Sequence, residues 1–450
     1  MRRLLIANRG EIAVRIARSA RALGIETIAV VSEADRQSFV ASLADAVELI
    51  GPSPAHASYL DQDAVLAALH RSGADAVHPG YGFLSENAEF ARRVLAAGAT
   101  WVGPSPETIE LMGDKAAAIA AARSAGVPVI SGSDGTIDIR TDTHAIAERV
   151  GYPLLIKASG GGGGRGIRMV KAPSELRPTL DLARAEAQAA FGDSRVYLER
   201  FIPRARHVEV QVLGDGQRAI HLGDRDCSTQ RRSQKLVEEA PAPQLPPHVR
   251  ESIRTAAVRL AESCGYEGAG TVEYLYDPVR EEAAFIEMNT RLQVEHPVTE
   301  AITGLDIVAE QLRIASGEPL TLSQEEVQFN GHAIECRINA EDPQRGFFPS
   351  PGVIESLRWP PGVRVDSGYE SGNTIPPYYD SLVAKVVAHS PTREGAITAM
   401  LDALAHTRVE GIRTTIPLHQ RILQRNEFQC MAHYTTFVES AADLIEQASP

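Results

Sequence analysis

Short apolar runs alternate with amphipathic stretches through residues 1–112. Arg3–Asn8 predicts a strand. In Glu11–Leu23 the apolar residues Ile12, Ile16, Ala20 and Leu23 recur at helical spacing, and Gly24 stops the helix. Ile25–Val31, Ala74–His78 and Ala99–Val102 predict further strands, the last two separated by a helix over Glu86–Ala97. Strand and helix in alternation predict an α/β unit with a parallel, doubly wound sheet, which binds ligands beyond the carboxyl ends of its strands. Two glycine-bearing turns fall at such ends, Asn8-Arg9-Gly10-Glu11 and the longer His78–Asn87. The second, with several polar groups, is the stronger functional candidate.

The next segment changes character. Asp114 is placed to cap a helix running to Ala125, closed by Gly126 and Pro128. Lys115 then sits in the first turn, where the helix dipole disfavours a cation. A bound anion would reconcile the two; a solvated lysine is the other reading. Tyr152–Ser159 predicts a strand carrying Lys157, followed by the glycine run Gly160–Gly164, then Arg165-Gly166 and the strand Ile167–Val170. Such a loop lets backbone N–H groups approach phosphate oxygens, and strand, glycine loop and strand together read as a flap over a nucleotide. Tyr197–Ile202 predicts an edge-like strand. Arg206–Val212 alternates, with His207, Glu209 and Gln211 on one face; His207 reads equally as a half-buried structural residue or as a ligand group. In Arg225–Lys235, the cations Arg231, Arg232 and Lys235 flank Gln230 and suit an anionic substrate.

The stretch Phe285–Pro297 organises the rest. It begins as a strand after a turn at Asp277-Pro278, and alternation puts Glu287, Asn289 and Arg291 on one face. A hairpin with Thr271–Tyr276, centred near Arg280, sets Glu273 opposite Glu287. Two carboxylates with Cβ atoms ~5 Å apart repel unless a cation bridges them. Carboxylates with an amide oxygen suit a hard divalent ion, and Mg²⁺ with a phosphate is the usual pairing. Asp306–Ser316 reads as a helix. Gly331–Glu341 opens a last unit in which Arg337 alternates away from Ile334, Cys336 and Ile338; a surface ion pair with Glu335 is the plain reading of Arg337. Helices follow near Glu394–Ala405 and Ile416–Leu423.

At 450 residues, and ~150 per domain, the chain suggests about three domains. It is 44% hydrophobic and 23% charged, ordinary for a soluble protein. A net charge of −13 argues against general binding to nucleic acid or anionic membranes, and no apolar run has the ~18 residues of a membrane span. Cys227, Cys264, Cys336 and Cys430 lack metal-site spacing and read as reduced thiols of a cytoplasmic protein, with Cys227 a packed thiol rather than a nucleophile.

Taken together these segments resemble the biotin carboxylase family of the ATP-grasp superfamily. The resemblance runs from Ala7–Ala13 to Gly411–Thr414 and rests on HPGYGFLSEN, KASGGGGGRG, RDCSTQRRSQK, EMNTRLQVEHPVTE and ECRINAEDP. It implies an N-terminal doubly wound domain at 1–112, an ATP-grasp domain at 113–330 with a glycine-loop lid at about 131–203, and a C-terminal mixed domain at 331–450. The activity implied is ATP- and bicarbonate-dependent carboxylation of biotin on a separate carrier protein, with Mg²⁺ or Mn²⁺, in a homodimer that works with a carboxyltransferase.

By the same resemblance, Lys115, Lys157, Gly162, Gly163, Gly164, Glu199, Arg200, Ile202, His207 and Gln230 hold ATP. Glu273, Glu287 and Asn289 form the metal site. Lys235, Arg291, Gln293, Val294 and Glu295 place bicarbonate, with Glu295 as base, and Arg337 stabilises the biotin enolate. Ser233 and Arg200 depart from the family, where many members carry His and Lys. No Met-Lys dipeptide of the kind that accepts biotin is present, so the expectation is a stand-alone carboxylase polypeptide or an excised carboxylase domain. Two rivals differ in class. Another ATP-grasp ligase would lack the Arg337 segment and the Arg291–Glu295 combination, and a silent nucleotide-binding regulator could lose any of the charged residues kept here.

Overall fold

The computed structural model describes residues 1–133, 135–137, 142–159 and 166–445. The candidates Gly162, Gly163 and Gly164 lie outside the described residues.

The N-terminal sheet is wholly parallel, with order β3-β2-β1-β4-β5: β1 is Arg3–Ile6, β2 Glu26–Ser32, β3 Ala46–Gly51, β4 Ala76–His78 and β5 Thr100–Trp101. Alternation sends Leu4 and Ile6 to one face, under Ile12, Ile16 and Ala20 of the helix Gly10–Ala22. Leu5 and Ala7 go to the other, under Val65, Leu69, Phe90 and Val94. This is the expected doubly wound sheet, with one strand and the helices Phe39–Leu43, Gln62–Ser72 and Pro106–Gly113 beyond what the pattern showed. Strand β3 was hidden because it is an edge, its Val47 and Leu49 exposed. The helix Gln62–Ser72 follows a side-chain cap at Asp61. Strand order reverses between β1 and β4, so both glycine-bearing turns meet at one crevice.

Strands β6 (Leu154–Ala158), β7 (Ile167–Val170) and β8 (Val196–Arg200) form a small antiparallel sheet with β6 in the middle. The helix Leu176–Phe191 lays Leu176, Leu180, Ala183 and Ala187 on Leu154, Ile156, Val170 and Leu198. Strand β8 is an edge, as expected.

Most of the remaining strands make one eight-stranded antiparallel sheet, and six short ones among the described residues form three two-stranded ladders. Its order is β13 (Glu282–Asn289), β12 (Glu267–Asp277), β9 (Arg206–Asp215), β10 (Ala219–Arg231), β11 (Gln234–Ala240), β14 (His332–Asn339), then Leu382–Ser390 and Arg364–Ser367. The β11–β14 ladder carries the sheet past residue 330 without a break. On one face Val208, Val210 and Val212 pack against Ile253, Ala257 and Leu260 of the helix Pro247–Ser263. On the same strand His207, Glu209 and Gln211 take the other face, as the alternation predicts, yet all three are buried rather than half-buried.

Two sequence-based expectations change here, those for Arg291 and Arg337. Arg291 does not lie on the strand with Glu287 and Asn289, because β13 ends at Asn289; its direction is set by its own hydrogen bonds. Arg337 makes no surface pair with Glu335, because Glu335 is fully buried in the ladder and Arg337 turns to Glu238 and Glu295. Arg231, Arg232 and Lys235 all line one cavity with Gln230, each held differently: Arg231 stacks on Phe347 with its guanidinium carbon 4.0 Å from the ring centre, Arg232 sits in the β10–β11 turn, and Lys235 points into the carboxylates.

Candidate active site

A cavity of about 900 Å³ opens between the polar face of the large sheet and the crevice of the N-terminal sheet. Its walls include His207, Gln230, Lys235, Glu273, Glu287, Asn289, Arg291, Gln293, Val294 and Arg337. Both N-terminal turns join it, through Asn8–Glu11 and Tyr81–Phe83. The turns brace each other: the Asn8 amide donates to the carbonyls of Pro79 (2.6 Å) and Tyr81 (2.8 Å). Gly80 has φ +64, and a Cβ there would lie 2.8 Å from that amide, so no larger residue fits.

The floor is a chain of alternating charges. Arg225, fully buried, donates to Glu209 (2.6 Å), Gln211 (2.7 Å), Thr299 (2.9 Å) and Thr271 (3.1 Å). The second oxygen of Glu209 accepts from Lys235 at 2.6 Å. Lys235 also donates to Glu273 at 3.0 Å and to Glu295. Glu295 is fully buried, and its other oxygen accepts from Arg337 at 2.9 Å. Arg337 ends the chain on Glu238 at 2.5 Å. Burial opposes charge on Glu209, Glu273 and Glu295; Lys235 overcomes it at all three, helped by Arg225 and His207 at Glu209, by His207 at Glu273 and by Arg337 and Arg225 at Glu295, and holds them below the usual carboxylate range. Burial opposes charge on His207 too, but Glu273, 3.1 Å away, pulls it up to about 9.

The hairpin register is as predicted, with Glu273 opposite Glu287 and Thr271 opposite Asn289. The two carboxylates are treated unequally. Glu273 accepts from Lys235, Asn289 and Gln293, whereas Glu287 is pushed up by burial and then by Glu273 itself. A hard divalent cation fits this donor set: two facing carboxylates and the Asn289 amide oxygen, with a repulsion for it to relieve. A second cluster, His207, Glu209 and Glu273, brings ligand atoms within 4.8 Å of one another, but Arg225 and Lys235 already engage its carboxylates. In the cluster Glu209, Cys227 and Glu295 the carboxylates are likewise held by Arg225, Lys235 and Arg337, and burial pushes the Cys227 thiol well up. That also fits the reading of Cys227 as a packed thiol.

Arg291 is held from both sides of the cavity. It donates to Glu86 of the second N-terminal turn (2.9 Å), to Asn289 (3.1 Å) and to Gln293 (3.1 Å). It makes no direct hydrogen bond to Glu295, whose partners are Lys235 and Arg337.

The other nucleotide candidates stand off this lining. Lys157 pairs with Glu199 between β6 and β8. Arg200 donates to Glu282 at 2.9 Å and borders a smaller cavity of about 290 Å³, while Ile202 is buried. Lys115 is exposed in the first turn of the helix Lys115–Ser124, capped by Asp114, and offsets part of the upward push on Glu287.

Several residues of the site do not stand out in the sequence. Arg225 and Glu209 are ladder partners, so charged residues inside otherwise apolar strands are the signal for both. Glu86 belongs to the glycine-bearing turn His78–Asn87. Glu238 is masked by its neighbour Glu239, since an acidic doublet reads as surface. Lys385, fully buried, pairs with Glu11 at 3.1 Å and donates to the Val294 carbonyl at 2.9 Å, tying three distant segments together.

Family models match the chain along its length: biotin carboxylase N-terminal domain over 1–109, carbamoyl-phosphate synthase L chain ATP binding domain over 114–323, and biotin carboxylase C-terminal domain over 335–440. A biotin carboxylase of Haemophilus influenzae is 52% identical over 434 residues, 95% of this chain and 96% of that one. The crystal structure of the biotin carboxylase domain dimer of Hydrogenobacter thermophilus 2-oxoglutarate carboxylase, with MgADP, ADP and bicarbonate, superposes with a TM-score of 0.91 at 46% identity, covering 100% of this chain and 99% of that one. Pyruvate carboxylase of Rhizobium etli, solved with the allosteric activator acetyl coenzyme A, superposes with a TM-score of 0.89 at 40% identity, covering 100% of this chain and 41% of that longer one. Fold and site together define an ATP-grasp enzyme. Within that class, the chain belongs to the biotin carboxylase family.

Proposed function

We propose that this chain carboxylates biotin on a carrier protein, using ATP and bicarbonate, by way of carboxyphosphate. The observation that supports the reading best is the shared carboxylate Glu295, bonded on one side to Lys235 and on the other to Arg337. One buried base thus links the group that would steady bicarbonate to the group that would meet biotin.

Bicarbonate lies against Lys235, Arg291, Gln293 and Val294, and Glu295 takes its proton. Glu295 is ionised at neutral pH because burial is outweighed by Lys235 and Arg337, so it is ready as a base. The bicarbonate oxygen then attacks the γ-phosphorus, the bond to ADP breaks, and carboxyphosphate forms. Its collapse gives CO₂ and phosphate, and phosphate accepts the N1′ proton of biotin. Arg337 stabilises the ureido oxygen as charge builds there. Mg²⁺ or Mn²⁺ held by Glu273, Glu287 and Asn289 would neutralise phosphate charge. ATP is held by Lys115, Lys157, Glu199, Arg200, Ile202, His207 and Gln230, and by the glycines at 162–164. The protein supplies mainly position and charge.

The domain limits 1–112, 113–330 and 331–450, the lid at about 131–203, a homodimer, a cytoplasmic location and a separate carboxyltransferase complete the proposal. The dimer is supported by the relative described as a dimer. The final acceptor differs among relatives, which include a pyruvate and a 2-oxoglutarate carboxylase, and that choice rests with the partner. The test measures ADP and carboxybiotin with ATP, Mg²⁺ and free biotin, with and without bicarbonate. Both products should need bicarbonate; ATP cleavage indifferent to bicarbonate would sink the reading.

A further inference from the structure

Behind Arg337 lies a second buried carboxylate pair that the reaction scheme does not use. Glu238 on β11 and Glu335 on β14 are direct ladder partners, and both are fully buried. Glu238 accepts from the Arg337 Nε at 2.5 Å through one oxygen. Its other oxygen, and both oxygens of Glu335, have no hydrogen-bond partner among the described residues. Directly opposed side chains have Cβ atoms ~5 Å apart, so two buried anions here would repel strongly.

The guanidinium is therefore gripped from two sides. Glu295 takes Nη2 and Glu238 takes Nε, which fixes the plane of the fork where Arg337 lines the cavity. Glu295 alone could not do this. It is shared with Lys235, and its charge changes in the proposed scheme as it takes the bicarbonate proton. Glu238 bonds Arg337 and is not assigned to the phosphoryl step, so its hold persists while Glu295 is protonated.

We infer that Glu238 is a positioning residue for Arg337, holding the guanidinium in place through the biotin half of the reaction, and that Glu335 behind it is a neutral acid. The inference rests on the function proposed above. Burial pushes Glu335 well up, with Glu238 adding to the effect, and this supports a neutral Glu335 at working pH. Burial pushes Glu238 up to about 7 despite Arg337, which places the pair under competing demands. Glu335 in its acid form lets Glu238 keep the charge that Arg337 needs.

The experiment measures ADP and carboxybiotin separately in wild type, E238Q, E238D and E335Q, with free biotin varied. In E238Q the ratio of carboxybiotin to ADP should fall at least fivefold, carried by kcat rather than by the KM for biotin, while bicarbonate-dependent ADP release stays within threefold of wild type. E238D keeps the charge on a shorter arm and should restore part of the ratio. E335Q, a copy of the neutral acid, should keep it. An unchanged ratio in both Glu238 variants overturns the inference, as does parallel loss of both products in both, which would make Glu238 merely structural. A collapsed ratio in E335Q overturns the neutral role of Glu335. If wild type itself makes no carboxybiotin, the failure belongs to the proposed function instead.

Discussion

Glu273 and Glu287 face each other across the β12–β13 ladder, yet only Glu273 is crowded by donors from Lys235, Asn289 and Gln293. The two substitutions to Gln should therefore part company. Both should lower Mg²⁺-dependent turnover by about 100-fold or more, since each removes an anionic oxygen from the site. In thermal melts without nucleotide, E273Q should lower Tm because buried Lys235 and His207 each lose one of their carboxylate partners, while E287Q should leave Tm unchanged or raise it by ending a repulsion. Near-normal turnover in both would reduce the hairpin row to structure.

Arg337→Ala should cut carboxybiotin formation by about 100- to 1,000-fold, the cost of losing one preorganised donor to a developing oxyanion. Substantial bicarbonate-dependent ADP release should survive. Arg337→Lys should also be poor, because a point charge cannot satisfy Glu238 and Glu295 together as the planar fork does. Separate assay of the two products checks this, and equal loss of both would place Arg337 in the phosphoryl step.

Glu295→Ala should behave differently and lose both products by about 100-fold or more, since it removes the base for bicarbonate. Retained ADP release with bicarbonate would assign the base elsewhere.

Away from the site, Glu239 accepts from His332 at 2.9 Å and from Arg393 at 2.6 and 3.0 Å. Burial acts to raise its pKa, but these partners bring it down to about 2 from the ordinary value of 4.5. A depressed carboxylate adds stability that is full above the unfolded value and disappears as pH falls through the folded one. Wild type should thus exceed E239Q by about 3 kcal/mol at neutral pH, and the gap should close between about pH 4.5 and 2. Denaturant titrations at several pH values measure it; a gap constant down to pH 2 would contradict the prediction.

Much of this was legible because the strands speak in alternation. The Glu273–Glu287 register followed from a centre at Arg280, and the polar face of His207, Glu209 and Gln211 from a period of two. The N-terminal sheet was readable from apolar runs except at β3, whose apolar side chains are exposed on an edge. Helices Leu176–Phe191 and Pro247–Ser263 went unassigned although Leu176, Leu180, Ala183 and Ala187 have helical spacing; their faces are rich in alanine, which carries a weak apolar signal. What could not be read was partnership over long separations. Nothing local couples Arg291 to Glu86, 205 positions away, or Arg337 to Glu238, 99 away. The surface pair of Arg337 with Glu335 was the local guess, and burial of the whole ladder defeats it.

The β11–β14 ladder bears on modularity. Cutting the chain near residue 330 would strip β11 of its neighbour and expose a row of unpaired amides and carbonyls along an open edge. It would also leave Glu238 and Glu295 buried without the guanidinium that now lies between them. A severed fragment of this kind is prone to pair with another copy of itself. Two segments that read as separate units in the sequence thus share one sheet, and the strand of Arg337 lies directly against the strand of Lys235.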